Sequence, residues 1–209
     1  MSDSEIRIRN TRPTDFAAIE RLTRAVYPND FPWTADYLAA HLDVFPEGQF
    51  VAVDRRTGDV VGMAANFVVR WDEYAGVDSY LDFTNDGFLT NHDPSGKTLY
   101  GADVMTDTDR RGEGIGSALY EARKELVRRL GLDRIRGHAR LPGYHRYADV
   151  LSPEAYVQRI VKGELDDPTL SFQLRHGFRV LDIVPNYFAR DPRSGGHAAL
   201  IEWVPYEGT

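Results

Sequence analysis

The stretch VMTDTDRRGEGIGSALYEARKELVRRLGL, residues 104–132, constrains the fold more than any other part of the chain. An apolar run ends in a polar turn. Arg110 and Arg111 follow, and glycines alternate at 112, 114 and 116 before a long helical pattern. A helix N-terminus carries unpaired N–H groups and the positive end of the dipole, so it binds phosphate where the backbone can come close. Glycine permits that approach and the unusual φ/ψ it requires. Ile115, Ala118, Leu119, Ala122, Leu126 and Leu130 fall on one helical face. Arg128 and Arg129 suit the C-terminal end of this helix, and Gly131 is its stop.

Spacing separates the chemistries that use such a loop. A Walker A loop needs a lysine and a serine or threonine after its second glycine. Ser117 stands five residues after Gly112 with no lysine beside it, so that reading fails. A dinucleotide fingerprint needs a third glycine where Ser117 or Leu119 stands. Its acidic ribose partner could only be Asp133, which starts a strand instead of ending one. The pattern that remains is Arg-x-x-Gly-x-Gly, formed by Arg111, Gly114 and Gly116, between a strand and an amphipathic helix.

The flanking sequence reads as alternating strands and helices. IRIRN (6–10) alternates as a strand does, and a helix follows with Phe16, Ile19, Leu22 and Val26 on one face, capped by Thr14 or Asp15. Residues 34–45 read as a second helix with Thr34 as its cap. Two strands join at a Thr57-Gly58 turn, and 73–97 read as irregular. Strands are predicted at 97–106 and 132–140. Ser152-Pro153 opens one helix and Gly163 closes it; Asp167-Pro168 opens another and Gly177 closes that. FRVLDIVP and HAALIEWVP are the last strands, a hairpin around 190–196. This order predicts a mixed α/β domain with no linker, so 1–209 is expected to be a single domain.

Composition narrows the function. The chain of 209 residues has no cysteine, which excludes disulfides, thiolate metal sites and a cysteine nucleophile. The formal charge of −7 argues against a general nucleic-acid binder. The N-terminus MSDSEIRIRN lacks the apolar segment of a signal peptide, and no window suits a membrane span. A cytoplasmic protein without metal is the expectation. Histidine spacing forms no metal motif, and no Gly-x-Ser-x-Gly elbow is present.

The loop in this context resembles the pyrophosphate loop of the GNAT acyltransferase superfamily. IRIRNTRPTDFAAIERL is similar to that family's opening strand and helix, and FQLRHGFRV to its late helix ending in Gly-Phe. The sequence also resembles the subset of GNAT domains that occur fused to nitrilase-type hydrolases; no such partner is expected within these residues. The resemblance implies a GNAT fold with a mixed, mostly antiparallel sheet flanked by helices. It implies acyl transfer, acetyl first, from acetyl-CoA or another acyl-CoA to a small-molecule or peptide amine. Coenzyme A would meet Val104, Met105 and Thr106 through its pantetheine arm, and Arg111, Gly112, Gly114, Ile115, Gly116 and Ser117 through its pyrophosphate.

The family's usual acid is a tyrosine four residues before the helix-ending glycine. Here that position is Gln173. Substitutes in the long segment before the late helix are Tyr144, His145, Tyr147 and Tyr156, with packing of that segment as the alternative. A base could be Asp103, or a water chain ending on Asp82, Asp86 or His92. Asp82 and Asp86 lie in an acidic, aromatic stretch suited to an ammonium-bearing acceptor, or to a solvated loop. An acyl-CoA-binding sensor or interaction module without turnover is the rival class, and a nucleotide-binding protein a third. The assembly state is open, a homodimer included.

Overall fold

The computed structural model describes residues 5–28, 32–74 and 76–205. Seven strands form one sheet: β1 (Ile6–Asn10), β2 (Phe50–Asp54), β3 (Val60–Val69), β4 (Thr98–Thr106), β5 (Arg134–Arg140), β6 (Arg179–Val184) and β7 (Ala198–Trp203). Their order across the sheet is β1-β2-β3-β4-β5-β7-β6. Among the described residues only β4 and β5 pair in parallel; every other neighbour pair is antiparallel. The sheet is therefore mixed and mostly antiparallel, as the sequence implied. β3 is the run VVGMAANFVV and is buried almost end to end, as a central strand covered on both faces must be.

Six helices flank the sheet: α1 (Phe16–Val26), α2 (Ala35–Val44), α3 (Tyr80–Thr84), α4 (Ile115–Leu130), α5 (Pro153–Val161) and α6 (Leu170–Arg175). α4 lays Ile115, Leu119, Leu126 and Val127 on one face, against Ala52, Ala64 and Leu99. α1 and α2 bring Ile19, Leu22 and Leu38 to the other, against Met63, Phe67 and Tyr100. Full burial of each such side chain is worth about 1.5–3 kcal/mol. None of the helices is long and apolar enough to cross a membrane, among the described residues.

Asp15 and Thr34 stand at the N-caps of α1 and α2 as expected, but neither side chain makes a cap bond there. The Asp15 carboxylate accepts from the Arg12 amide at 2.8 Å. Ser152 Oγ accepts from Ala155 N ahead of α5, with Pro153 in the first turn. Asp167 does more than open α6. It is fully buried, and its Oδ1 accepts from the Thr169 and Leu170 amides. Its Oδ2 accepts from Gly143 N at 2.8 Å and the Tyr156 hydroxyl at 2.9 Å. One carboxylate thus ties both ends of the long segment after β5. The stretch 73–97 departs from expectation by holding α3, a short helix capped by Ser79. Tyr80 and Phe83 anchor it, since Phe83 stacks on Tyr100 with centroids 4.2 Å apart.

His41 on α2 is buried, and its Nε2–H donates to the Gly87 carbonyl at 2.7 Å. Burial lowers its pKa from 6.5 to about 4. The unfolded chain therefore takes up a proton first as pH falls, so this site contributes stability above about 6.5 that is lost toward pH 4. Replacing His41 with Gln should flatten that part of the acid-stability curve. Thermal denaturation between pH 7 and pH 5 checks it: parallel losses of Tm in the two proteins would refute the assignment.

Candidate active site

β4 and β5 pair only at Thr98 with Arg134, Leu99 with Ile135 and Tyr100 with Arg136, and then they part. On its other side β4 stays paired to β3, but the register slips: Ala65 faces Asp103 while Asn66 faces Gly101, so Ala102 is an extra residue. A bulge of this kind bends the strand and re-aims its groups. On β5, a Cβ at Gly137 would stand 3.3 Å from the Gly101 carbonyl oxygen, so glycine permits a close approach at the fork. Beyond the fork Val104 and Thr106 are half-buried while Met105 points into the core. Among the described residues, the β4 edge that these residues form has no strand partner on the β5 side.

β4 runs through a short turn into the glycine loop. Gly112 and Gly114 have φ of 88° and 79°, and a Cβ at either would meet nothing within 4 Å. The requirement there is left-handed backbone. Gly116 differs: its Cβ would lie 3.1 Å from the Phe172 ring, so its constraint is helix packing against α6. The first helical bond of α4 runs from the Ala118 amide to the Gly114 carbonyl, which leaves the preceding amides to find other acceptors. Arg110 braces the loop, reaching Asp54 at 2.6 Å and Glu113 at 2.5 Å. Arg111 is exposed, with no ion pair among the described residues. Ser117 Oγ lies 2.9 Å from His176 Nε2.

On the α1 face of the fork lies a polar cleft with aromatic walls. Asp103 Oδ2 accepts from Trp33 Nε1 at 2.7 Å, and its Oδ1 lies 3.4 Å from the Tyr27 hydroxyl. The burial of Asp103 raises its carboxyl pKa, opposed by the Trp33 hydrogen bond and by Arg140 and Arg123. Solvent still reaches the residue, although protein encloses it on most sides. Arg140 lies over Phe188 at 4.5 Å and Tyr27 at 5.2 Å, and pairs with Asp191 at 3.2 Å. Burial and the charge of Asp103 push the Tyr80 hydroxyl well up.

The sequence reading passed over His138. Its ring stacks on Tyr187 at 3.8 Å, and its Nδ1 lies 3.0 Å from the Tyr100 hydroxyl, itself 2.7 Å from the Tyr187 hydroxyl. Burial lowers its pKa to about 3, so the ring is neutral at ordinary pH. Nε2 has no hydrogen-bond partner among the described residues. The signal was present in RIRGHAR, where alternation puts Arg134, Arg136, His138 and Arg140 on one face of a central strand.

Other expected residues lie elsewhere. The Tyr144 hydroxyl donates to the Leu151 carbonyl at 3.0 Å, and its ring is buried against Tyr156. His145 is exposed, with Nδ1 at 2.9 Å from the Pro142 carbonyl. Neither is joined to Asp103, to His138 or to the loop, because the segment folds on itself around Asp167. Asp82 is exposed and is bound to Ser79 at the cap of α3, while Asp86 is exposed in the following turn. Tyr80 and Phe83 pack inward from that helix, and neither carboxylate is bonded to Asp103 or His138. His92 Nδ1 accepts from Val68 N, and Gln173 Nε2 donates to the Tyr120 hydroxyl at 2.9 Å. An open groove lined by Asp54, Asp107, Arg110 and Glu113 lies beside α1 and does not reach Asp103 or His138.

Comparison with known proteins agrees with this geometry. The model of the acetyltransferase (GNAT) family matches residues 16–148. A protein of Bacillus subtilis named probable hydrolase YhcX is 40% identical over 196 residues, which is 94% of this chain; the chain spans 38% of that relative's length. The uncharacterized N-acetyltransferase YkwB of the same organism is 34% identical over 94% of this chain and 87% of its own. Among solved structures, the GphF GNAT-like decarboxylase in complex with isobutyryl-CoA superposes with a TM-score of 0.78 at 25% identity, covering 95% of this chain and 98% of that one.

Two outcomes follow from this geometry. Gly114→Val forces a branched residue into left-handed backbone, a strain of about 1–3 kcal/mol. Coenzyme A affinity measured by calorimetry should fall at least about tenfold, or ~1.4 kcal/mol, in the folded variant; affinity within about threefold of the parent would refute a phosphate role for the loop. Asp103→Asn should raise Tm at pH 8. A carboxyl whose folded pKa is raised favours folding only while protonated, so the ionised group costs stability and the gain from Asn should vanish as pH falls below the usual aspartate range. A Tm difference independent of pH would contradict this.

Proposed function

The chain belongs to the acetyltransferase (GNAT) family of enzymes, and on that premise we propose that it moves an acyl group, acetyl first among them, from coenzyme A to a primary amine. One observation carries the reading. The parting of β4 from β5 stands beside a left-handed glycine loop that opens α4, so a free strand edge and a phosphate-binding helix end lie in sequence. The loop amides from Arg111 to Ser117 would take the pyrophosphate, with Arg111 adding charge. Val104, Met105 and Thr106 would take the pantetheine arm along their free main-chain groups. That GphF is complexed with isobutyryl-CoA supports a coenzyme A thioester here.

Bound acyl-CoA supplies the acyl group as a thioester. The acceptor would enter on the Asp103 face. Its ammonium gives one proton to Asp103 and on to solvent. The nitrogen forms the C–N bond as the C–S bond breaks, and its second proton neutralises the leaving thiolate. No protein group becomes acylated. If Tyr187 donates to Tyr100 and Tyr100 to His138 Nδ1, the neutral imidazole carries its proton on Nε2 and aims a donor at the developing oxyanion. Asp103 is the base in this scheme, the amine's own second proton leaves Tyr144 and His145 unused as acids, and the Asp82 and Asp86 carboxylates are left out of it.

A second reading draws on Arg140. A guanidinium close enough to act on Asp103 suits an acyl group that bears a β-carboxylate, and GphF is named a decarboxylase. In that case the carboxylate leaves as CO₂ and the resulting enolate takes up a proton.

A screen of thiol release from acetyl-CoA across a broad amine set tests acyl transfer, with CO₂ release from malonyl-CoA without amine as the parallel assay. Amine-dependent thiol supports transfer; CO₂ alone supports the second reading; coenzyme A binding with neither product supports a sensor. With the best amine, His138→Ala should lower kcat by about 10²-fold, the loss typical of one oxyanion donor, while KM for acetyl-CoA stays within about threefold. A kcat within about twofold of the parent would remove His138 from the site.

A further inference from the structure

The apolar stripe of α4 is interrupted by Arg123. A leucine there would continue the row of Leu119 and Leu126, yet the residue is an arginine, and it is 4% exposed. Its guanidinium lies under the fork on the α4 face. Nη2 donates to the Asp103 carbonyl at 2.5 Å and to the Ala65 carbonyl at 3.2 Å. These are the two residues that face each other where the β3–β4 register slips. A Cβ at Gly101 would come within 3.0 Å of the guanidinium, so the glycine leaves room for it. The ring of Tyr120 lies 5.3 Å below. Among the described residues no carboxylate pairs with Arg123, and its Nε is buried without a partner. A buried cation without a counter-ion is costly, and a hydrocarbon of similar volume is usually as good for stability or better.

The geometry explains what the cation does. Arg123 reaches the Asp103 carbonyl from the α4 face, while the Asp103 side chain is received by Trp33 on the opposite face. We propose that Arg123 is a positioning residue of the acyl-transfer site: its clamp on the Ala65 and Asp103 carbonyls fixes the β4 bulge, aims the Asp103 carboxylate into the acceptor cleft and supplies a cation beneath it. The role assigned to Asp103 rests on the proposed function; the clamp does not. The groups that face Asp103 are Tyr27 beyond α1, Tyr80 on α3, Arg123 on α4 and Arg140 on β5. Of these, Arg123 is tied to the Asp103 backbone by a hydrogen bond. Both arginines draw the carboxyl pKa down against burial, so loss of either makes Asp103 harder to ionise.

Trp33 gives a readout independent of activity, because its indole donates directly to the Asp103 carboxylate. The experiment follows tryptophan emission against pH in the full chain, with Trp33→Phe and Asp103→Asn as controls that remove the Trp33 signal and the titration. Arg123→Met and Arg123→Gln should move the midpoint to higher pH by more than the scatter of replicates, and Arg123→Lys should bring it most of the way back to the parent value. With acetyl-CoA and the best amine of the screen, Arg123→Met should lower kcat about tenfold or more with KM for acetyl-CoA within about threefold. An unmoved midpoint in a folded Met or Gln variant overturns the proposal; if Met does not fold, the Gln and Lys variants decide it. A shifted midpoint with unchanged kcat upholds the clamp and overturns Asp103 as the base.

Discussion

Two parallel strands that pair for three residues and then diverge must dispose of the main-chain groups they no longer share. Each group left buried and unpaired costs about 1–3 kcal/mol, so the divergence between β4 and β5 needs support on every side. The bulge at Ala102 turns β4 away from β5. Gly101 and Gly137 let the strands and a guanidinium crowd together at the fork itself. Arg123 takes the Ala65 and Asp103 carbonyls on the α4 face. On the other face the Asp103 side chain is held by Trp33. The opening at the centre of the sheet is therefore a constructed feature with its own hydrogen-bond partners.

The same strand–loop–helix unit sets the rest. Eight residues, 107–114, separate the end of β4 from the start of α4, so the glycine loop is delivered beside the free edge of β4. Arg123 follows Ile115 by eight residues, about two helical turns. One helix thereby offers an anion site at its N-terminus and a clamp for the strand that leads into it. Arg110 closes the unit by pairing with the buried Asp54 of β2. A displacement of α4 would disturb the loop and the fork together.

Much of this was legible in the sequence, and what was not has physical reasons. The alternating glycines, Gly131, Ser152-Pro153 and Asp167-Pro168 are local signals whose chemistry acts within a few residues, and the loop and caps stand where they put them. The helical stripe of α4 was legible too, but Arg123 was hidden in it, because an arginine on a charged helix reads as a solvated residue until the fork beneath it is seen. His138 was hidden by the opposite effect. In an alternating strand it looks like one polar residue among arginines, and only the tertiary fold brings Tyr100 and Tyr187 to its ring. Composition does not place Asp82 and Asp86: acidic and aromatic residues share that segment, but Tyr80 and Phe83 pack inward from α3 while Asp82, and Asp86 in the turn after it, are exposed. Tyr144 was set aside by its own segment, where the Leu151 carbonyl uses its hydroxyl.

The electrostatics of the cleft bear on which molecules could enter it. Aromatic walls with one carboxylate would by themselves favour a cation, and Tyr27, Trp33 and Tyr80 border Asp103 in that manner. Arg140 already lies over Tyr27 and Phe188, however, and its charge is shared with Asp191. A further ammonium would meet Asp103 on one side and a guanidinium on the other. The arrangement discriminates less by net charge than by the placement of charge within the ligand: a positive or proton-releasing group belongs near Asp103, and a negative or carbonyl group near Arg140. That asymmetry follows from one strand of each partner in the fork, since Asp103 rises from β4 and Arg140 from β5, and the distance over which the strands diverge sets the spacing a ligand has to match.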